Sequence, residues 1–431
     1  MKRRSFLMTP GLFPAAAAVS WAGANDRVQV GIVGVRGRGN DHIKFLARIP
    51  GARVAAVCDI DQSNLERAQA NAEKLGQPKP AGFADMRRLF EDKSIDAVAV
   101  ANPNHWHALT TIWAIRAGKD VYVEKPASHN IREGRQMVEA ARKYQRIVQV
   151  GMQSRTTPHK IKAIRLLREG VIGEVYMAKG LCFKRRLTIG KTPDGPVPAG
   201  VDYDAWLGPA PKRPFNPNRF HYTWHWFWDY GNGDIGNQGV HEMDICRWGL
   251  GLSSHPRKVT STGAKFVYDD DQETPNTQHA IFDYGKVQVH FEVRGLITNS
   301  EGSVTFDGNT IGNIFYGSNG YMCVDSRGFQ VYTGEKHTLA MEEKAQGVIW
   351  DTQPHFENFL AAVRSRKHED LAGDILEGHL STSMCHLANI SYRTGRALSF
   401  DGAAENFGAD AEANALLTRS YRPPYTIPDP L

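Results

Sequence analysis

The segment that most restricts the fold is a glycine-rich turn, Gly34-Val35-Arg36-Gly37-Arg38-Gly39, set between an apolar run at 28–33 and a stretch of helical character at 40–47. A second apolar run, 54–58, leads into Asp59, twenty residues beyond Gly39. Strand, glycine turn, helix, strand and acid in that order meet the requirements of a dinucleotide-binding βαβ unit. Glycines let the backbone turn tightly and approach a pyrophosphate, which the helix N-terminus attracts with its unpaired N–H groups and dipole. An acid after the second strand accepts hydrogen bonds from the adenosine ribose. Gly34, Arg36, Gly37, Arg38, Gly39 and Asp59 are therefore expected to bind a nicotinamide dinucleotide. With no arginine in Asp59-Ile60-Asp61, NAD is favoured over NADP. Arg36 stands where the usual spacing has its second glycine, so its side chain must point away from the pyrophosphate or help to bind it.

The pattern continues as alternating apolar runs and amphipathic helices to about residue 150. Runs at 97–101, 121–123 and 147–150 alternate with helical stretches at 62–75, 106–117 and 132–144. This predicts an α/β fold whose N-terminal Rossmann domain, residues 27–150, is a doubly wound parallel sheet. Its ligand should lie beyond the carboxyl ends of the strands. Past residue 150 the character changes. A helix at 160–167 and strands at 174–179 and 287–293 point to a C-terminal α/β domain, residues 151–395, with an open, mixed, largely antiparallel sheet. Late helices are expected at 355–366 and 375–394, the second carrying His379 and His386 packed against the sheet. The Pro- and Gly-rich stretch 185–234 is too long for an idle loop in a compact domain. Residues 396–431 read as an extended arm.

Residues 1–24 read as an address. Lys2-Arg3-Arg4-Ser5-Phe6-Leu7 resembles a twin-arginine export signal, followed by a modest apolar region and Ala22-Gly23-Ala24 as a cleavage site. The expected location is periplasmic or otherwise exported. The apolar region, broken by Pro10 and Pro14, is too short for a permanent span, so no membrane span is expected in the mature chain. Formal net charge is +6, and the signal's three basic residues leave +3 for the rest, which gives no electrostatic case for nucleic-acid binding. Five scattered cysteines show neither metal spacing nor a disulfide framework. Such usage suits a chain that folds, and takes up a cofactor, before export.

Lys125, in Glu124-Lys125-Pro126, ends the run at 120–123, where the nicotinamide should lie. An ammonium there can hydrogen-bond a substrate hydroxyl and stabilise alkoxide character as hydride leaves. Farther on, Asn237, His241 and Asp244 fall at i, i+4 and i+7 of a helix that Asp234 is placed to cap, so they share a face. His241 is the candidate proton acceptor, with Asp244 supporting its imidazolium. No compact further ligand set accompanies them, and no metal is expected. The aromatic run 220–230, with His225 and Trp226, suits the flat faces of a sugar. Asn102-Pro103-Asn104-His105 also faces the expected crevice, and Arg155 either binds substrate or pairs with an acid.

Together these motifs resemble the glucose–fructose oxidoreductase, inositol dehydrogenase and MocA (Gfo/Idh/MocA) family. The resemblance is carried by the glycine turn, Asp59, Asn102-Pro103-Asn104-His105, Glu124-Lys125-Pro126 and Gly239-Val240-His241-Glu242-Met243-Asp244. The signal, Asp234-Ile235-Gly236-Asn237 and the late Gly378-His379-Leu380 and His386-Leu387-Ala388-Asn389 are similar to an exported branch. The resemblance implies a nicotinamide-dependent oxidoreductase acting on sugars or cyclitols, with Lys125 and His241 catalytic and the open sheet forming a homo-oligomer. Where many members carry an aspartate four residues before the histidine, this chain has Asn237, so acid–base work falls to His241 alone. The leading expectation is hydride transfer between a tightly held NAD and a sugar hydroxyl carbon. A redox-neutral glycosidase that oxidises its sugar transiently, and a non-catalytic sugar-binding protein, are the alternatives.

Overall fold

The computed structural model describes residues 27–298, 301, 304, 310–347, 352–429 and 431, so the expected signal, residues 1–24, lies outside the described residues. Strands β1 (Val28–Val33), β2 (Ala52–Cys58), β3 (Ala81–Phe83), β4 (Ala97–Val100), β5 (Asp120–Val123) and β6 (Val148–Val150) form one parallel sheet in the order β3-β2-β1-β4-β5-β6. Helices α1 (Arg38–Ala47), α2 (Gln62–Lys74), α3 (Met86–Glu91), α4 (Asn104–Arg116) and α5 (Ile131–Lys143) are the connections. β4 and β5 are buried along their whole length, which is why they read as continuous apolar runs. Asp61 starts α2 by accepting from the Ser63 N–H, and Asn130 starts α5 by accepting from Glu133. The strand order reverses between β1 and β4, and the switch opens a crevice at their carboxyl ends.

After α6 (Pro158–Arg168) the chain builds a nine-stranded mixed sheet. Its strands are β7 (Val175–Phe183), β8 (Lys258–Ala264), β9 (Thr277–Asp283), β10 (Gln288–Arg294), β11 (Thr310–Gly317), β12 (Gly320–Val324), β13 (Gly328–Thr333), β14 (Thr338–Lys344) and β15 (Leu398–Ser399). Their order is β14-β13-β12-β11-β7-β10-β9-β8-β15, and the β7–β10 pair is parallel within an otherwise antiparallel set. β9 and β10 alternate buried and half-buried residues, the signature of a sheet with one face on the core. Between β7 and β8 run the short α7 (Tyr203–Leu207) and α8 (Gly233–Asn237) and then α9 (Gly239–Leu250). The later helices are α10 (Gln353–Ser365), α11 (Ile375–Thr394) and α12 (Ala411–Ala415). α9 and α11 cover the buried face. Among the described residues no helix is long and apolar enough to cross a membrane.

α10 belongs by packing to the first sheet, although it falls late in the sequence. Phe356 stacks on Tyr122 with ring centroids 4.2 Å apart, and Phe359 and Leu360 share a core with Val30 and Ile32. Arg366 pairs with Asp120 at the start of β5. The terminal arm is pinned to its own chain: the Arg419 guanidinium lies 2.8 Å from Glu133, and Arg422 meets Asp204 at 2.7 Å.

Candidate active site

The glycine turn leaves the carboxyl end of β1 and opens α1. Gly34 has φ +82°, and a Cβ there would sit 2.6 Å from the Asn102 main-chain nitrogen, so the turn closes against the end of β4 only with glycine. A Cβ on Gly39 would lie 2.0 Å from the Gly34 carbonyl oxygen. Gly39 therefore serves the packing of helix on turn and, unlike Gly34 and Gly37, does not line the cavity. That cavity, of about 720 Å³, runs between the two sheets, and Arg36 and Arg38 also line it. No side chain caps α1; the Asn40 and Asp41 N–H groups turn back on the Gly37 carbonyl, and those of Arg38 and Gly39 are left at the turn, as a helix N-terminus that takes an anion requires. Asp59 lines the cavity and also braces the turn: its Oδ2 accepts from the Val35 N–H at 2.8 Å and its Oδ1 from the Asp61 N–H at 3.0 Å. Burial pushes the Asp59 carboxyl up against the pull of those donors. Cradle, uncapped helix and acid fit a dinucleotide.

Asn102 and Asn104 line the same cavity, held by Thr110 and Asn232 respectively. His105 does not. Its ring is fully buried, Nε2 lies 2.9 Å from the Trp206 carbonyl oxygen, and burial pulls the imidazole down to about 3. α4 turns His107 toward the cavity in its place, between the carbonyls of Pro126 and Asn102. At the end of β5, Glu124 accepts from Arg38 Nε at 2.8 Å, and its Oε1 lies 2.9 Å from His42 Nε2. Burial alone would raise this carboxyl, but Arg38 and His42 hold it well below the usual carboxylate range. Arg38 also donates to Thr352 Oγ1 at 3.0 Å, so it is anchored on two sides.

Lys125 reaches across the cavity, its Nζ donating to the main-chain carbonyl of Asn237 at 2.7 Å. Burial lowers the ammonium's pKa, and neighbouring Glu124 opposes that. His241 lines the cavity with no hydrogen-bond partner for its ring among the described residues. Burial, reinforced by Lys125, holds it well below the ordinary histidine value, so it is neutral near pH 7.

The expected single helix is two. α8 ends at Asn237, and Gln238 links it to α9. Asp234 is not a cap: Asn232 holds that position, and the Asp234 carboxylate pairs with Arg186 at 2.6 Å. Asn237 and His241 do meet at the cavity, but Asp244 does not. Its side chain is 1% exposed and accepts from Arg155 at 2.8 and 2.9 Å and from Ser381 at 2.7 Å. Burial would raise the Asp244 carboxyl, and Arg155 more than offsets this. Arg155 pairs with Glu377 as well, at 2.9 Å, and is likewise absent from the cavity wall. The pair is a buried clamp joining α9, α11 and the turn after β6, rather than a substrate contact.

Of the aromatic run, Phe220, Trp224 and His225 line the cavity; the His225 ring lies 3.6 Å from that of Trp224, and burial pulls the imidazole down to about 3. Trp226 does not line it; the ring is buried beneath the Arg186 guanidinium, 5.3 Å from its centroid. Most of the run packs on itself, with Phe220, Trp224, Phe227 and Tyr230 joining Tyr203 and Trp206 in a separate core. His221, Tyr222 and Gln238 line the cavity beside the anticipated residues, and their adjacency to His225 and Asn237 was the available signal. Lys160, Lys184 and Ser154 line it too, with no local pattern to mark them.

Among the described residues one His and carboxylate group is close enough to hold an ion, His255, His379 and Glu405. Each histidine Nε2 lies 2.8 Å from Glu405 Oε1, and Arg135 donates to that same oxygen at 2.5 Å, so the carboxylate is already satisfied. His379 thus fastens the terminal segment rather than merely packing on the sheet.

Residues 28–152 match the NAD-binding Rossmann fold of the Gfo/Idh/MocA oxidoreductase family, and residues 166–427 match that family's C-terminal alpha/beta domain. A glycosyl hydrolase family 109 protein of Saccharopolyspora erythraea is 29% identical over 161 residues, 36% of this chain and 35% of the relative. One from Shewanella baltica is 30% identical over 154 residues, 35% and 34% of the two chains. The chain thus spans about a third of the length of these curated relatives. Among solved structures, the WlbA dehydrogenase from Bordetella pertussis, in complex with NADH and UDP-GlcNAcA, is 19% identical over 87% of this chain and 99% of its own, with TM-score 0.64. Levoglucosan dehydrogenase, in complex with NADH and levoglucosan, is 16% identical over 86% and 99%, with TM-score 0.66. At these identities the two structures establish the shared fold.

Proposed function

The chain belongs to the Gfo/Idh/MocA oxidoreductase family, with its NAD-binding Rossmann fold, and from that premise we propose that it moves hydride between NAD(H) and a hydroxyl-bearing carbon of a carbohydrate. The observation that carries the reading is one cavity walled at one end by the glycine turn and Asp59 and at the other by Lys125 and His241. The cofactor, when bound, supplies or accepts the hydride. Lys125 then donates a hydrogen bond to the substrate oxygen and stabilises the negative charge that builds on it. His241, neutral and without a ring hydrogen bond among the described residues, takes the hydroxyl proton. The Asn237 side chain is an amide and takes no proton, so its part is to orient the sugar, while the Asn237 main-chain carbonyl holds Lys125.

We propose that the cofactor stays bound through turnover. Under the expected export there is no ready nicotinamide pool, so hydride must be returned on the enzyme. The names of the curated relatives favour a second reading, a glycosidase that oxidises its sugar transiently. A carbonyl on the sugar acidifies the neighbouring C–H and lets the glycosidic oxygen leave.

The first test is to purify the protein without added nucleotide, denature it and identify what is released by mass spectrometry. Stoichiometric NAD(H) is expected. The same preparation, given sugars and aryl glycosides, should either change absorbance at the reduced-nicotinamide band or cleave glycoside without net change. Failure to bind NAD or NADP, even on titration, would sink both readings.

A further inference from the structure

The cavity's two halves differ in charge. Every acid that lines it, Asp41, Asp59, Asp61 and Glu124, comes from the Rossmann half, and each is engaged by a neighbouring donor. The wall contributed after residue 150 contains two lysines, Lys160 and Lys184, and no acid. Asn237, beside His241, adds a neutral amide. Lys160 is the telling member. It is 7% exposed, and its Nζ has a single hydrogen-bond partner, Ser154 Oγ at 3.0 Å. Among the described residues it makes no ion pair. Burial lowers this ammonium's pKa, and the carboxylates of Glu242, Asp325 and Asp244 oppose that without any of them forming a direct ion pair with it. Lys160 lines the same cavity as His241.

Behind that wall lies Glu242, which does not line the cavity. Its Oε1 accepts from Gln238 Nε2 at 3.3 Å and its Oε2 has no partner. Burial pushes this carboxyl up to about 7, against the pull of Lys160. Glu242 helps to keep Lys160 cationic from outside the cavity without neutralising it in a direct pair.

We infer that Lys160 and the Ser154 hydroxyl form an anion subsite, and that the carbohydrate this enzyme accepts carries a carboxylate, as a sugar acid does. One ammonium and one hydroxyl, 3.0 Å apart, place donors on two adjacent atoms, a spacing that suits the two oxygens of a planar carboxylate. The inference rests on the proposed carbohydrate activity and narrows its substrate class.

The test uses the cofactor-loaded protein and matched probes: glucuronate against glucose, galacturonate against galactose, and glucose 6-phosphate. Binding is read by calorimetry and turnover by nicotinamide absorbance. The acids are expected to bind more tightly than their neutral partners and than the phosphate. Lys160→Gln should weaken acid binding roughly 10- to 100-fold, mostly in KM rather than kcat, and erase the preference over the neutral sugar. Ser154→Ala should lower the same preference to a smaller degree, and Lys160→Arg should restore part of it. Equal binding of acids and neutral sugars by the native protein would overturn the subsite, as would a phosphate preference. So would a Lys160→Gln loss shared by both classes, which would mark the lysine as a prop for Glu242. If NAD binds but no sugar of either class binds or reacts, the carbohydrate reading falls and takes the subsite with it.

Discussion

Lys125 Nζ donates to the main-chain carbonyl of Asn237 at 2.7 Å, so the end of β5 is tied to the end of α8 across the cavity. The acceptor is backbone, and the bond therefore survives any change of side chain at 237. It aims the ammonium at the space that His241 also faces, and leaves its other two protons for a substrate oxygen.

Lys125→Met should consequently remove turnover while sparing the cofactor. Loss of a positioned cation at a developing alkoxide costs on the order of 100- to 1,000-fold in kcat. NAD affinity, measured by fluorescence titration, should change little, because the glycine turn and Asp59 are untouched. Retained turnover would remove Lys125 from the chemistry.

The pH dependence follows from the two shifted groups. His241 acts unprotonated, so the rate of sugar oxidation falls as pH drops through its value, which burial and Lys125 hold below the ordinary 6.5. Lys125 acts protonated, so the rate falls as pH rises through its value, which burial lowers from 10.5. The kcat/KM profile should be bell-shaped with its acid limb below pH 6.5 and its basic limb below 10.5. His241→Gln should abolish the acid limb along with most of the rate. An acid limb on the alkaline side of 6.5 would contradict the burial of the imidazole.

The Rossmann half was readable because its strands are buried on both faces and so leave apolar runs, and because glycine geometry is local. β3, three exposed or half-exposed residues, and the single turn and a half of α3 left no such trace. The stripe Asn237, His241, Asp244 was read from a period that assumes one unbroken helix. The junction at Gln238 and the partner of Asp244 both lie outside that assumption. Arg155, which claims Asp244, is 89 residues away in the chain, and no periodicity reports a pairing that distant. Lys160 is equally silent in sequence, since what distinguishes it is the lack, among the described residues, of a direct ion pair where it is buried. α10 shows the same limit at domain scale, returning to the first sheet after eight of the second sheet's nine strands have been built.

Asp59 has two duties, and substitutions separate them. Its carboxylate accepts the Val35 and Asp61 N–H groups, so Asp59→Ala leaves two partly buried donors unmet and should cost about 1–3 kcal/mol of stability without cofactor. The proposed ribose contact would be lost as well, and NAD affinity should fall by more than the stability loss accounts for. Asp59→Asn keeps an acceptor for only one of the two donors at full strength and should fall between. Denaturant midpoints with and without NAD resolve the two effects. A variant that weakens NAD with no change in the cofactor-free midpoint would show that the bracing of the turn carries no energy.

Asp244→Asn tests whether the buried clamp is structural. The change leaves Arg155, whose side chain is 8% exposed, with Glu377 as its remaining acid, and that carboxylate is itself a third exposed. Removing one partner of a buried pair costs about 3–5 kcal/mol, and the surviving Glu377 contact places the expected loss near the lower end. The folded variant should keep its KM, because the Asp244 carboxylate does not reach the cavity. Denaturant unfolding beside steady-state kinetics gives both readings from one preparation. A raised KM at unchanged stability would mean instead that Asp244 leaves Arg155 and turns toward the sugar when substrate binds.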